Sequence, residues 1–252
     1  MNITKEVEFP DISFWQGNVD FAKMSSKTKN IILRAGQGNF IDSKFERNRS
    51  EAKKYGMNWG MYWFFDGRYS PKSQIEAIAR LIRQNDNIPN VGLWIDWERN
   101  YSGNYEGIKN VIAVMEGIEE EFPYMKVGIY TGYYFFIGNT NRILNYYQLQ
   151  YLKNKPLWLA SYTDYPQYVK VPFPWTNDTV TVWQWGTPPL GKEYGCEDSV
   201  EIDMNWWTKS KEEFEQFIGK SNSNTNVGEK YVQIESISLR LENGVKREFI
   251  KK

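Results

Sequence analysis

Between residues 91 and 99 the chain reads Val-Gly-Leu-Trp-Ile-Asp-Trp-Glu-Arg, an apolar run interrupted by two acids spaced two apart. Successive side chains of a strand alternate sides, so Trp94, Asp96 and Glu98 share one face and Leu93, Ile95 and Trp97 the other. The second face is wholly apolar and suits packing beneath helices. Two residues of strand rise put the acids' Cα atoms roughly 7 Å apart. In a partly desolvated site such carboxylates repel, and one is pushed to keep its proton. A protonated acid beside an ionised one is what glycosidic bond cleavage needs: the first donates to the leaving oxygen, the second answers the developing positive charge. Two solvated acids at a strand end show the same spacing, and spacing alone does not separate the two readings.

Other catalytic chemistries are excluded by composition. The 252 residues contain no histidine, which removes Ser-His-Asp and Cys-His catalysis, histidine bases and histidine-held metals. The single cysteine, Cys196, makes neither an internal disulfide nor a metal site. Thirty-one basic residues balance thirty-one acidic ones, so nothing provides the electrostatic excess of a nucleic-acid binder. Aromatic residues make up 17% of the chain, with 11 Trp and 17 Tyr, more than a core requires. Flat rings with polar tips suit the faces of sugars.

The elements that must position the acids follow in order. Strands are expected over 9–14 (carrying Asp11), 30–34, 58–65, 91–99, 125–131, 157–161, 179–185 and 199–204 (carrying Asp203), each bounded by turn residues. Helices are expected from 18–20 to 24, then over 43–55, 70–83, 108–122 and 141–152, with Gly36-Gln37-Gly38 as a turn and residues 133–136 as an aromatic loop. The stretch 163–178 is Pro- and Tyr-rich with no helical period. Eight strands, the early ones joined by helices and the last two connections by loops, predict a parallel sheet closed as an irregular β/α barrel of the TIM type. The alternative is an open doubly wound sheet. Closure is favoured because only a barrel gathers acids from the first, fourth and eighth strands around one rim. A charged helix over 210–217 ends the barrel domain, set at 1–219. A polar linker follows at 220–228, and residues 229–252 alternate around Asn243-Gly244 as a hairpin. A lone hairpin is marginal in water, so it is expected to dock on the barrel, to pair with copies of itself in a homo-oligomer, or to be the remnant of a binding module.

The pieces, in this order, resemble the family 25 glycoside hydrolases, the Chalaropsis-type lysozymes found among phage endolysins. The matching runs are residues 10–17 (Pro-Asp-Ile-Ser-Phe-Trp-Gln-Gly), 60–64 (Gly-Met-Tyr-Trp-Phe), 93–98 (Leu-Trp-Ile-Asp-Trp-Glu), 128–131 (Gly-Ile-Tyr-Thr), 157–162 (Leu-Trp-Leu-Ala-Ser-Tyr), 182–185 (Val-Trp-Gln-Trp) and 200–205 (Val-Glu-Ile-Asp-Met-Asn). The resemblance implies cleavage of the β-1,4 bond between N-acetylmuramic acid and N-acetylglucosamine in peptidoglycan, with no metal or cofactor. It makes Glu98 the proton donor and Asp96 the stabiliser, either as nucleophile or by steering the sugar's own acetamido group. It places Asp11 and Asp203 on sugar hydroxyls, and Tyr62, Tyr130, Trp158 and Gln184 along the groove. The chain departs from the family where Trp63 stands for a frequent histidine, and where Arg34 and Gln37 stand in a run often reading Lys-x-x-Glu-Gly. Two other readings are a non-catalytic wall-binding or phage structural module, and a chitinase; the latter lacks its upstream acids, because Leu93 and Val91 stand at those positions. The acidic opening residues and the lack of a long apolar run predict a chain made in the cytosol without export signal or membrane insertion. It would act on the wall after release, as an endolysin does.

Overall fold

The computed structural model describes residues 1–220 apart from positions 2, 86–87 and 141–142. The expected hairpin, its oligomer contact and nearly all of the linker lie outside the described residues. Among the described residues nine strands form the sheet: β1 (Glu8–Ile12), β2 (Asn30–Gln37), β3 (Phe40–Ile41), β4 (Asn58–Phe64), β5 (Leu93–Asp96), β6 (Val127–Gly132), β7 (Leu157–Ala160), β8 (Val180–Gly186) and β9 (Asp203–Trp207). Their order is β1-β9-β8-β7-β6-β5-β4-β2-β3, and pairing of β1 with β2 closes eight of them into a barrel, with β3 appended to β2. Early connections carry helices: α1 (Phe21–Lys27), α2 (Phe45–Lys54), α3 (Pro71–Asn85), α4 (Ile108–Glu121), then α5 (Tyr133–Asn139) and α6 (Tyr146–Leu152); α7 (Lys211–Phe217) ends the domain. Among the described residues no helix is long and apolar enough to cross a membrane.

Three expectations are corrected. The last barrel strand spans Asp203–Trp207 instead of 199–204 and runs antiparallel to both β1 and β8. Antiparallel neighbours need no crossover helix, so the loop over 187–202 can return the chain along β8 directly. Gly36 and Gln37 belong to β2, which hairpins back through β3, and the aromatic run at 133–136 is the first part of α5.

Alternation sorts every strand into two sides. Ile31, Leu33, Met61, Trp63, Leu93, Ile95, Trp97, Ile129, Leu157 and Leu159 pack outward in one cluster, with the apolar stripe of α4 (Val111, Ile112, Met115, Ile118) and with Ile78 and Ile82 of α3. Inside the barrel a second cluster holds Phe9, Ile32, Trp94, Tyr130, Trp158, Val182 and Trp207. Gly128 makes room for it: a Cβ there would lie 2.5 Å from the Trp94 ring. The base is closed by α7, whose start is fixed by a reciprocal Ser210–Glu213 cap. Its Phe214 ring lies 6.2 Å from Phe9 and 5.3 Å, edge on, from Trp207.

Candidate active site

At the other end of the interior the inward positions turn polar. Asp96 is the last residue of β5, with Tyr130 of β6 and Phe64 of β4 as its register partners, and Glu98 follows two residues on. Asp11 of β1 and Asp203 of β9 are direct register partners. Because β9 runs in reverse, Asp203 reaches this rim from the start of its strand, where the sequence suggested a strand end. A cavity of about 110 Å³ is lined by Asp11, Tyr62, Asp96, Glu98, Tyr130, Trp158, Tyr162, Gln184 and Asp203. All eight residues expected at the site therefore meet in one place, joined by Tyr162.

A chain of hydrogen bonds fixes this floor. The Trp158 indole donates to Asn205 Oδ1 (2.7 Å), and the Asn205 amide donates to Asp11 Oδ2 (2.9 Å) and to the Phe9 carbonyl (3.2 Å). The Gln184 amide donates to the same Asp11 oxygen (2.9 Å), while its carbonyl accepts from the hydroxyls of Tyr130 (2.8 Å) and Tyr162 (3.1 Å). Each tyrosine also hydrogen-bonds a carboxylate, Tyr130 with Glu98 and Tyr162 with Asp203. A phenol has one proton to donate, so these two hydroxyls choose between Gln184 and an acid according to which acid is protonated. Trp158 is 1% exposed, with the rings of Tyr62, Trp94 and Tyr130 edge on to it. It serves as the floor and orients Asn205, and offers little open face for a sugar to stack upon.

Sequence reasoning passed over three residues that the structure brings to the site. Tyr162 and Asn205 lie inside runs already singled out, and Asn205 is two positions from Asp203 on the same strand face. Arg34 of β2, paired in register with Tyr62, was noted only as a departure from family pattern. Its guanidinium is 5.6 Å from the ring centroids of both Phe14 and Phe64.

Four acids around so small a space cannot all ionise. Burial holds the Asp11 carboxyl up at about 6 despite its bonds from Asn205 and Gln184, with the Glu98 charge adding to the rise. Burial, then the charges of Asp11 and Glu98, raise Asp203 to about 8. Asp96, 4% exposed, is raised well above the ordinary range by burial and then by Glu98, while Arg34 opposes; its Oδ1 is buried with no hydrogen-bond partner. Glu98 stands at the mouth, open to solvent, yet enclosure by the walls raises it too, against the Tyr130 bond and the Arg34 and Arg99 charges. The set thus retains protons near neutrality beside ionised neighbours, as acid-assisted bond cleavage needs.

Beyond Tyr162 the cavity adjoins a second one of about 390 Å³, lined by Tyr133, Tyr134, Tyr162, Tyr168 and Lys170 among others. Tyr162, Tyr134 and Tyr168 are exposed.

The family model for glycosyl hydrolases family 25 matches residues 10–189. The chain belongs to this family. The match spans the strands that carry all the site residues named above except Asp203 and Asn205 of β9. Among solved structures, the family 25 enzyme is similar to a muramidase from Acremonium alcalophilum (20% identity, TM-score 0.66, covering 86% of this chain and 100% of that one). It is also similar to a family 25 glycosyl hydrolase from Bacillus anthracis (23% identity, TM-score 0.61, 84% and 93%). A third is the catalytic domain of endolysin ply40 from bacteriophage P40 of Listeria monocytogenes (20%, 0.63, 84% and 97%). Among curated proteins no sequence matches this family 25 chain. It is a glycoside hydrolase, and its barrel is the fold these structures share.

Proposed function

We propose that the chain is an N-acetylmuramidase, cleaving the β-1,4 bond between N-acetylmuramic acid and N-acetylglucosamine in peptidoglycan, and that it serves a phage or prophage as an endolysin. The observation that carries the reading is the convergence of Asp11, Asp96, Glu98 and Asp203, from three strands and the segment after β5, on one small aromatic-walled cavity. Pure binding needs no such set of proton-holding acids, which weighs against a wall-binding module.

In this mechanism Glu98, open to the incoming substrate, gives its proton to the glycosidic oxygen as the bond to C1 breaks. The two acids are coupled and share protons, and in the reacting state the proton sits on Glu98 and Asp96 is ionised: Asp96 beneath it answers the positive charge on the sugar, with its unpartnered oxygen either attacking C1 or holding the acetamido group so that its oxygen attacks. Glu98, now a carboxylate, then takes a proton from the water that completes hydrolysis. Asp11 and Asp203 receive sugar hydroxyls, and their mutual repulsion helps keep protons in the set. Tyr62, Tyr130 and Gln184 shape the walls. The tyrosine-lined cavity past Tyr162 offers ring faces and hydroxyls for the continuing glycan. The endolysin role draws support from the likeness to the Listeria phage enzyme; in that role the enzyme would be made in the cytosol and reach the wall when a membrane-permeabilising partner releases it.

Mass spectrometry of digested peptidoglycan tests the reading. Muramic acid at the new reducing ends is the expected result. N-acetylglucosamine there would make the chain a glucosaminidase, and retention on walls without new reducing ends would make it a binding module.

A further inference from the structure

On the β2 and β3 side of the site lies a cavity of about 300 Å³, lined by Phe14, Arg34, Gln37, Phe40, Ile41 and Asp42 among others. Arg34 ties it to the catalytic centre, since its strand neighbour Tyr62 lines the acid cavity and its charge acts on Asp96 and Glu98. The chemistry of this cavity differs from that of its tyrosine-lined counterpart. Its polar side chains are largely taken: the Gln37 carbonyl accepts from Arg34 (2.6 Å), and its amide donates to Asp66 (3.1 Å) and to the Tyr101 hydroxyl (3.0 Å). The Asp42 carboxylate accepts from the backbone N–H of Phe14 (3.1 Å) and of Lys44 (2.8 Å). The Arg34 guanidinium gives one of its five N–H donors to Gln37, and its Nε is buried without a partner. Exposed Ser43 adds one hydroxyl and Gly36 a stretch of backbone; the rest of the wall is the apolar surface of Phe14, Phe40 and Ile41, with Phe40 64% and Ile41 38% exposed.

A saccharide placed here would bury many hydroxyls against a wall with few partners, a loss at each one. A short peptide with small aliphatic side chains and one carbonyl or carboxylate oxygen fits both features, with the oxygen on the guanidinium and the methyl groups on Phe40 and Ile41. In peptidoglycan such a peptide hangs from the lactyl group of muramic acid. We propose that this cavity holds the peptide substituent of a muramic acid unit, with Arg34 receiving its oxygen. The inference rests on the muramidase reading and extends it: the enzyme reads the peptide as well as the glycan.

The test compares kcat/KM on soluble peptide-bearing glycan strands and on the same strands stripped of peptide by an N-acetylmuramoyl-L-alanine amidase. The wild-type enzyme is expected to favour the peptide-bearing strands by about tenfold, the scale of one well-made contact set. The double variant Phe40→Ser, Ile41→Ser is expected to bring that ratio close to one. The ratio does not depend on how much of the variant is folded. A wild-type ratio of one, or a preference retained by the variant, overturns the inference and leaves the muramidase reading standing. Release of no reducing ends from either substrate overturns both.

Discussion

At the base of the barrel the inward positions are Phe9, Ile32, Trp94, Val182 and Trp207, all buried and closed over by Phe214 and Ile218. Two residues further along the same strands stand Asp11, Arg34, Asp96 and Gln184; on β9, read backwards, come Asn205 and then Asp203. A single pleat repeat thus exchanges a hydrocarbon interior for charged and amide side chains. The base supplies burial energy, while the rim holds carboxylates whose raised pKa values mark an environment that opposes their charge. Stability and chemistry are therefore separated by about 7 Å of strand, and mutations at the two ends should fail in different ways.

The sharpest contrast is at Glu98. Glu98→Gln keeps the size of a solvent-open side chain and removes the proton it gives, so peptidoglycan hydrolysis should fall about 10³-fold with thermal stability unchanged. Turbidity clearance and a thermal melt on the same preparation check both halves. Activity near the parental rate would break the division by putting the acid elsewhere. At the base, Phe214→Ala removes a ring packed on Phe9 and Trp207 and should cost about 3 kcal/mol of stability. Turnover per folded molecule should stay as it was, read from denaturant unfolding alongside kinetics at low temperature.

The smallest effect sharpens the comparison through pH. Asp203 holds its proton up to about 8 in the folded chain against an ordinary 3.8, and Asp11 up to about 6. A raised folded pKa gives stability that is full below about 4 and lost as pH rises through the folded value. Wild-type unfolding free energy should therefore decline between pH 4 and 8. Asp203→Asn, with no proton to lose, should make that decline visibly shallower. Equal slopes for the two proteins in denaturant titrations at pH 5 and 8 would show that the rim acids carry no such strain.

Much of this was legible in the chain because alternation is local. Leu93, Ile95 and Trp97 pack beneath the helices, and Trp94 and Asp96 face the interior, as their spacing required. The eight residues that the family runs pointed to line one cavity. Other features were hidden because they depend on distant partners. Residues 133–136 are apolar enough for a loop or a helix, and only packing on Trp97, whose ring meets Phe135 at 5.1 Å and Phe136 at 5.9 Å, settles it. Arg34 and Asn205 gain meaning only once β4 and β1 lie beside them.

The sequence by itself determined which residues share a strand face, that acids must do the proton transfer, and the family to which the chain belongs, since each follows from spacing, composition or local runs. Closure of the sheet decided the rest. It reversed β9 so that Asp203 meets Asp11, made Trp158 of the groove a buried floor, and set Tyr162 and Arg34 on opposite flanks of the acids. These outcomes depend on strand direction and register between segments far apart in the chain, and no local pattern encodes them.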